Sequence, residues 1–408
     1  MPKNLWSAYL VVFIASGCTL ILEIVAGRIV APVVGVSLYT WTSVIGVVLA
    51  GISIGNFAGG LAADRWVGQR TLGIILALGG VSSLAVLPVT IVMTNYHYPP
   101  SFPLVAKIVV MMVAIFFAPA FVISMTTPVV IKLSLKDLGQ TGGVVGRIYA
   151  VSTCGSILST FLTGFVLIAH FGTRSIVLGV GLLLLLLSVT FGGLLTGDRI
   201  GAAVAAGGLG VLAAITGAAT INLQAMDSGC TRETSYYCIR VVPIEQDNRE
   251  LQEFILDHLI HSFSDLNDPT YLHYGYEKVY AEVVDYTAKQ TPNFATLQLG
   301  GGGYTMPRYM EALYPGVRDE VFEIDPEVTQ TAYEYMGLSP TARVRTTNDD
   351  ARLALQALPP EQKYDIILGD AFNDLSVPYH LTTQEFDRKI YARLTPDGLF
   401  LANIIDKI

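Results

Sequence analysis

The first half of the chain consists of long apolar runs separated by short polar breaks. Seven such runs occur, near residues 5–26, 41–63, 71–94, 104–131, 146–169, 174–195 and 199–221. A helix needs about 20 predominantly apolar residues to cross a bilayer. The pattern therefore predicts a multi-pass helical membrane domain with about seven spans.

Two details inside these runs predict local structure. The fourth run contains Pro119 and Pro128, and proline lacks the N–H that continues a helix, so we expect a kink or a break there. Glycine and serine recur at close spacing in "GISIGNFAGG" and "STCGSILSTFLTG". Small residues at this spacing let helix backbones approach each other within a membrane.

From Met226 onward the pattern changes to short strands and amphipathic helices. The segment "SYYCIRVVPI" alternates like a strand and belongs to a predicted small β-rich lobe with a linking helix, residues 226–290. Strands are then predicted at 295–299, 319–324, 342–347, 364–369 and 398–403, with helices at 305–314, 326–336, 350–357 and 382–393. Strands alternating with helices indicate a parallel sheet. We therefore predict a transmembrane domain over 1–225, this lobe, and a Rossmann-like nucleoside-binding catalytic domain over 291–408.

Composition and charge agree with this division. Of all residues, 52% are hydrophobic and only 14% are charged, which is too apolar for a soluble protein of 408 residues. The mean hydropathy is +0.53. The net charge of the whole chain is −8, and nearly all acids lie after residue 226, so the negative charge belongs to the second half. This charge argues against nucleic acid as a partner and is compatible with a small cationic one.

Acidic residues follow the predicted strands at one edge of the sheet. In open parallel sheets, ligands bind beyond the carboxyl ends of the strands. The first strand is followed by four glycines, Gly300 to Gly303, and acids follow the next three strands, namely Glu323 and Asp325, Asp349 and Asp350, and Asp370 and Asp374. Any one acid is most simply a helix cap, but together they predict a nucleoside site.

Two kinds of nucleoside site fit a glycine loop after the first strand. A dinucleotide site usually has Gly-x-Gly-x-x-Gly and one acid after the second strand. This loop instead has the sequence "GGGGYT", and acids also follow the third and fourth strands. The sequence therefore favours an S-adenosylmethionine-type site over a site for NAD.

A series of motifs resembles the polyamine aminopropyltransferases, or spermidine synthases. It comprises "ETSYYCIRVV", "LDHLIHS", "YLHYGYEKVY", "LQLGGGGYTMPR", "VFEIDPEV", "NDDAR" and "YDIILGDAFND". The segments "LEIVAGRIVAPVVGVSLYTWTSVIGVVLAGISIGNFAGGLAADR" and "GRIYAVSTCGSILSTFLTGFVLIAHFGTR" are similar to the membrane part of the family's bacterial membrane-fused branch. The resemblance covers nearly the whole chain.

The resemblance implies an enzyme that moves an aminopropyl group from decarboxylated S-adenosylmethionine to an amine such as putrescine and releases methylthioadenosine. The donor is a co-substrate, so no permanently bound cofactor is expected. The expected partners are the amine and the lipid bilayer. Soluble relatives commonly associate, so a homo-oligomer is a further expectation.

The family pattern also implies roles for individual residues. Asp370 is expected to be the catalytic base, because an alkylammonium is inert until it loses a proton. Glu323 is expected to bind the ribose, and Asp349 or Asp350 the adenine. The other expected nucleoside contacts are Gly300, Gly301, Gly302, Tyr237 and His261, and the expected amine contacts are Tyr276, Glu277 and Asp374.

Three departures from the family pattern leave alternatives open. Gly303 stands where the family loop, Gly-Gly-Gly-Asp-Gly-Gly, usually has its acid, and "DAFND" moves the second acid after the fourth strand by one position. The catalytic domain is also expected to be short at its C-terminal end, because relatives continue beyond "LFLANIIDKI". One alternative is another S-adenosylmethionine-using enzyme, a methyltransferase or a lyase. Another is a catalytically degenerate protein that binds or transports a nucleoside or polyamine.

The cysteines and histidines predict no metal site. The four cysteines lack metal-ligand spacing, and the six histidines form no cluster in the sequence. Cys230 and Cys238 could pair in an oxidising compartment, but two free thiols are the more ordinary interpretation.

The side of the membrane that the second half faces is predicted in two opposite ways. Seven Lys and Arg residues lie on the N-terminal side of the membrane, namely Lys3, Arg65, Arg70, Lys132, Lys136, Arg147 and Arg199, against Arg28, Lys107 and Arg174 on the other. This bias favours a cytosolic N-terminus and, after seven spans, an external second half. Because the sulfonium donor is made in the cytosol, we nevertheless expect a multi-pass cell-membrane protein whose second half is cytosolic.

Overall fold

The computed structural model describes residues 5–66, 68–135, 139, 141–193, 199–372 and 377–404. These residues form two compact units, Met1–Ser228 and Gly229–Ile408. The first unit is helical, and the second contains both sheets of the structure. The boundary coincides with the change of hydrophobic pattern in the sequence.

Six helices of the first unit are long and apolar enough to cross a membrane, by their length and composition. They are α1 Leu5–Val34, α2 Leu38–Arg65, α3 Gln69–Thr94, α4 Leu104–Ser134, α5 Thr141–His170 and α6 Thr173–Phe191. A seventh helix, α7, is Arg199–Asn222, and its apolar part Ala206–Asn222 is shorter than the other six. Six of the seven predicted spans are thus found as apolar helices among the described residues, and the seventh remains a prediction.

Helix α4 is irregular near both of its prolines. Residues Val113–Phe117 form a π-helical turn immediately before Pro119, and the regular helix is interrupted at Met125, three residues before Pro128. Proline cannot donate the backbone hydrogen bond to the preceding turn, so the helix is rearranged around each position. The predicted irregularity is confirmed.

Glycines bring the membrane helices into backbone contact. A Cβ atom at Gly155 of α5 would lie 2.2 Å from the carbonyl oxygen of Phe13 in α1. A Cβ atom at Gly55 of α2 would lie 2.2 Å from the carbonyl oxygen of Phe121 in α4. Because these contacts leave no space for any side chain, the predicted close packing through small residues is confirmed.

A four-stranded antiparallel sheet begins the second unit. Its strands are β1 Arg232–Glu233, β2 Cys238–Gln246, β3 Arg249–Leu256 and β4 Leu259–Asp265, paired in chain order. A disulfide joins Cys230 to Cys238 at the start of β2. The expectation of two free thiols was therefore wrong, because the turn between them brings the two Cα atoms to 5.4 Å.

The second sheet has five parallel strands with the order β7-β6-β5-β8-β9. These strands are β5 Ala295–Leu299, β6 Arg318–Phe322, β7 Arg345–Thr347, β8 Tyr364–Gly369 and β9 Leu394–Ala402. The helices are α8 Gly275–Gln290, α9 Thr305–Leu313, α10 Pro326–Tyr335, α11 Ala351–Ala357 and α12 Gln384–Arg393. The predicted parallel sheet is confirmed, and its connections change direction between β5 and β8.

Strand β5 lies in the middle of this sheet and determines where the glycine loop emerges. All five of its residues are buried, as expected for a parallel strand covered on both faces. It pairs with β6 on one side and with β8 on the other. The loop that follows it is therefore flanked by the ends of both neighbouring strands.

Candidate active site

A cavity of about 610 Å³ lies at the carboxyl ends of the parallel strands. One wall consists of residues that follow β5, β6 and β8, including Gly300, Glu323 and Asp370. The opposite wall comes from the antiparallel sheet, chiefly the hairpin between β3 and β4 and the two tyrosines before β2. The volume of the cavity lies within the range typical of small-molecule sites. We call this cavity the main pocket.

Gly300 allows the loop after β5 to touch the end of β8. Its φ angle is +97°, a region that favours glycine. A Cβ atom at Gly300 would lie 2.6 Å from the carbonyl oxygen of Asp370. Any other residue would therefore both strain the backbone and push the loop away from Asp370.

The carboxylate of Glu323 fixes the same loop from the other side. Its Oε2 accepts a hydrogen bond of 2.8 Å from the N–H of Gly301, and its Oε1 accepts one of 3.0 Å from the N–H of Asp325. Burial raises the pKa of Glu323, while these two N–H donors oppose that shift by stabilising the ionised form. The N–H of Gly302 is a third donor to this carboxylate, which has about four acceptor sites and so can still accept from a diol in the main pocket.

Asp370 has a partly buried carboxyl group that accepts two hydrogen bonds. The hydroxyl of Tyr276 donates to Oδ2 at 3.1 Å, and the side-chain amide of Asn403 donates to Oδ1 at 2.8 Å. Burial raises the pKa of Asp370 to about 6, although both donors act to lower it. A carboxyl group with this pKa is mostly ionised at neutral pH and can accept a proton from a substrate.

The structure separates the two neighbouring acids after β7. Asp350 lines the main pocket, caps the N-terminus of α11, and lies 2.7 Å from the Nε2 atom of His380. Asp349 is exposed, lies outside the lining, and accepts the N–H of Asp350. Of the two positions predicted for the adenine, only Asp350 therefore reaches the pocket.

Tyr237 and His261 lie on the antiparallel wall of the pocket. The hydroxyl of Tyr237 donates to the carbonyl oxygen of Phe372 at 3.3 Å, which links the two walls. Burial lowers the pKa of His261 to about 4, with a smaller effect of His258 in the same direction. His261 is therefore neutral at physiological pH and presents an uncharged ring to a ligand.

The predicted amine contacts are only partly brought together. Tyr276 lines the main pocket beside Asp370, and Glu277 lines a smaller cavity next to it. Burial raises the pKa of Glu277 to about 7, and the charge of Asp370 adds to this effect. Asp374 lies outside the described residues.

Sequence reasoning missed several residues of the pocket. Asn403 directly follows β9, just as the predicted acids directly follow the other parallel strands. This shared position was a signal that could have identified it. His380 and Tyr236 also line the pocket. Tyr236 lies in the motif "ETSYYCIRVV" next to the predicted Tyr237, whereas His380 lies in none of the motifs named above. Among the described residues of the lining there is no Lys or Arg, so its charged side chains are acids. A cation is therefore favoured over an anion.

Comparison with known proteins gives relatives for part of the chain. A polyamine aminopropyltransferase from Vibrio vulnificus is 38% identical over 108 residues, which are 26% of this chain and 36% of that protein. A probable polyamine aminopropyl transferase from Bifidobacterium longum is 32% identical over 110 residues, 27% of this chain and 24% of that protein. An eEF1A lysine and N-terminal methyltransferase from Danio rerio is 30% identical over 115 residues, 26% of this chain and 16% of that protein. No protein-family model matches the chain.

A solved structure of a probable spermidine synthase from Corynebacterium glutamicum also resembles this one. It is 26% identical, with a TM-score of 0.38, over 41% of this chain and 60% of that one.

The fold and the pocket define the class as an α/β protein with a cavity at the carboxyl ends of a parallel sheet. The curated relatives confirm the resemblance found in the sequence: over about a quarter of its length, the chain is similar to two polyamine aminopropyltransferases. It spans about a third or less of the length of the curated relatives named here, so the reaction of the whole protein is a proposal.

Glu323→Gln should weaken the binding of methylthioadenosine by roughly 5-fold to 150-fold, the equivalent of the 1–3 kcal/mol for an unsatisfied buried donor. An amide has one accepting oxygen, so it cannot accept from both Gly301 and Asp325 as the carboxylate does. Isothermal calorimetry on the detergent-solubilised protein measures the effect, and Glu385→Gln on exposed α12 serves as the control. An unchanged affinity would mean that Glu323 does not position the nucleoside loop.

Proposed function

We propose that the chain is a membrane-anchored aminopropyltransferase of the bacterial membrane-fused branch. The reaction moves an aminopropyl group from decarboxylated S-adenosylmethionine to an amine such as putrescine, and methylthioadenosine is the second product. The observation that carries this proposal is the partly buried carboxyl group of Asp370, which lies beside the glycine loop with two donors fixing its orientation. The names of the curated relatives support the same reaction.

The transfer is a substitution at the carbon next to the sulfonium. The amine nitrogen donates its lone pair to that carbon, and the carbon–sulfur bond breaks. The electron pair of that bond stays on sulfur, so a neutral thioether leaves. Asp370 accepts the proton that the amine nitrogen must lose. Because Tyr276 and Asn403 each use one lone pair of this carboxylate, its oxygens still have acceptor sites directed at the amine.

Proximity supplies a large part of the acceleration in such a reaction. Two reactants held in attacking geometry gain the equivalent of a very high local concentration. The acidic lining contributes as well, since it attracts both the sulfonium donor and the ammonium form of the acceptor. The pocket therefore has to bind and orient two cations and remove one proton.

A methyltransferase is the second candidate function. It is supported by the match to the Danio rerio protein and by glycine at position 303, where an aminopropyltransferase usually has an acid. Both reactions use a sulfonium nucleoside, so the main pocket fits either one. The products differ in mass by the transferred group, which distinguishes the two functions.

We infer that the second unit faces an oxidising compartment outside the cytosol, contrary to the expectation from the origin of the donor. The Cys230–Cys238 disulfide supports this orientation, since structural disulfides persist mainly outside the cytosol. The charge bias supports it as well when α7 is counted as a seventh span. Amine and donor would then have to be available on that side.

Asp370→Asn should abolish aminopropyl transfer while leaving the affinity for methylthioadenosine within a few-fold of the original. The amide keeps the size of the carboxyl group but cannot accept the proton. Product formation by mass spectrometry and nucleoside binding by calorimetry are measured on the same preparation. The control is Asp387→Asn on exposed α12, and transfer at an unreduced rate in Asp370→Asn would rule out this residue as the base.

Asn403→Ala should move the acid limb of the pH–rate profile upward by about one pH unit, since a hydrogen bond to a charged group contributes about 1.5 kcal/mol or more. Asn403 stabilises the carboxylate form of Asp370, whose pKa is about 6, so its removal raises that pKa further. The base is active when ionised, and activity therefore falls as the pH drops through this pKa. The control is Asn267→Ala at an exposed position, which should leave the pH–rate profile unchanged. An unchanged profile in Asn403→Ala would mean that Asp370 does not titrate in catalysis.

Two reporters are fused separately after Ile408, one that is active only in an oxidising compartment and one that is active only in the cytosol. The first should be active and the second inactive. In intact cells, Cys230 and Cys238 should resist alkylation until a reductant is added, because the disulfide blocks both thiols. The Cys230→Ser/Cys238→Ser variant controls for labelling of other cysteines. Activity of a cytosolic reporter together with alkylation without reductant would place the unit in the cytosol instead.

A further inference from the structure

A second, smaller cavity of about 30 Å³ lies behind Asp370. It shares Asp370, Tyr276 and His261 with the main pocket. Its other lining residues are Ser262, Glu277 and Tyr280, the glycine loop, and Gln298, Thr305, Met306 and Leu368. Its volume admits one group of about the size of a water molecule or an ammonium group. We call this cavity the inner chamber.

Two buried hydroxyl groups of the inner chamber have no hydrogen-bond partner among the described residues. They are Oγ of Ser262 and the phenolic oxygen of Tyr280. The two residues are only 4% and 5% exposed, so bulk water does not compensate. Buried polar groups nearly always have a hydrogen-bond partner in native proteins. Two hydroxyl groups without a partner in one cavity therefore indicate that a ligand binds there.

The charge of the chamber specifies the kind of ligand. Glu277 is 2% exposed, and its carboxyl group accepts the N–H of Tyr274 at 3.1 Å with one oxygen. Asp370 lines the same chamber, and no Lys or Arg is present among the described lining residues. A buried acid, Glu277, and a partly buried one, Asp370, without a basic residue in the lining favour a cation and repel an anion.

The position of Ser262 explains how the chain manages without the acid usual in the glycine loop. A Cβ atom at Gly303 would lie 2.1 Å from Oγ of Ser262, so a side chain from the loop could enter the chamber only if the Ser262 hydroxyl moved. The hydroxyl of Ser262 on β4 occupies the space where that side chain would begin. Polar groups from β4 and α8 thus take the place of one from the loop.

We propose that the inner chamber binds a primary alkylammonium group and excludes a carboxylate, with Ser262, Tyr280 and Glu277 as the groups that accept its three N–H donors. This inference rests on the proposed function and extends it to selectivity for the donor. A donor that retained its carboxylate would place a negative charge next to Glu277 and Asp370. The ammonium belongs either to the aminopropyl chain of the donor or to the far end of the amine acceptor, and both present the same chemistry.

The test compares ligands with and without an ammonium group on the full-length protein. Calorimetry measures the affinity for methylthioadenosine, which has none, for decarboxylated S-adenosylmethionine, and for putrescine in the presence of saturating methylthioadenosine. The variant is Ser262→Ala/Tyr280→Phe, which removes only the two unpaired hydroxyls. It should fold as well as the original protein, because neither hydroxyl has a partner to lose. Tyr286→Phe, an exposed residue on the same helix as Tyr280, is the matched control.

We expect the double variant to bind methylthioadenosine unchanged and the ammonium ligand roughly 10-fold to 100-fold more weakly, as for the loss of hydrogen bonds to a charged group. A loss confined to the decarboxylated donor assigns the ammonium to the donor, and a loss confined to putrescine assigns it to the acceptor. Equal affinities of variant and original protein for every ligand would mean that the chamber holds water only and would overturn the inference. If the original protein bound methylthioadenosine but neither ammonium ligand, the proposed function would fail as well.

Discussion

The contact between Gly300 and the carbonyl group of Asp370 is the constraint on which the site depends. Strands β5 and β8 are neighbours in the sheet, and the connections change direction between them. The N–H of Asp370 donates to the carbonyl oxygen of Leu299, and the positive φ of Gly300 turns the loop across the end of β8. The glycine loop, which we propose approaches the nucleoside, and the carboxyl group of Asp370, which we propose accepts the proton, are thereby kept at a fixed separation.

Burial of acids around this contact produces both the chemistry and the selectivity. Burial raises the pKa of Asp370 to about 6 and of Glu277 to about 7, so both change charge near neutral pH. The backbone N–H groups that bind Glu323 counteract the same effect and keep the nucleoside loop in place. A region of buried acids without described basic partners is costly unless a cation enters it. Binding of the proposed cationic substrates would therefore stabilise the arrangement.

Much of the fold could be predicted from the sequence because its elements have strong periodic patterns. The parallel sheet could be predicted from the alternation of apolar strands with amphipathic helices. Six of the apolar helices could be predicted from the length of their apolar runs. Asp370 and Glu323 could be identified because they directly follow strands. Ser262 and Tyr280 could not, since one lies within a strand and the other within a helix, and their importance arises only from the side-chain packing around Gly303. The Cys230–Cys238 disulfide could not be predicted either, because it depends on the geometry of the turn between the two cysteines.

The most direct test of the account is to identify the product formed by the purified full-length protein. The protein is incubated with decarboxylated S-adenosylmethionine labelled in the propyl chain and with a series of diamines, and the products are identified by mass spectrometry. The account predicts that one amine gains a labelled aminopropyl group as methylthioadenosine appears in equal amount. Transfer of a methyl group instead, or consumption of neither substrate, would contradict it.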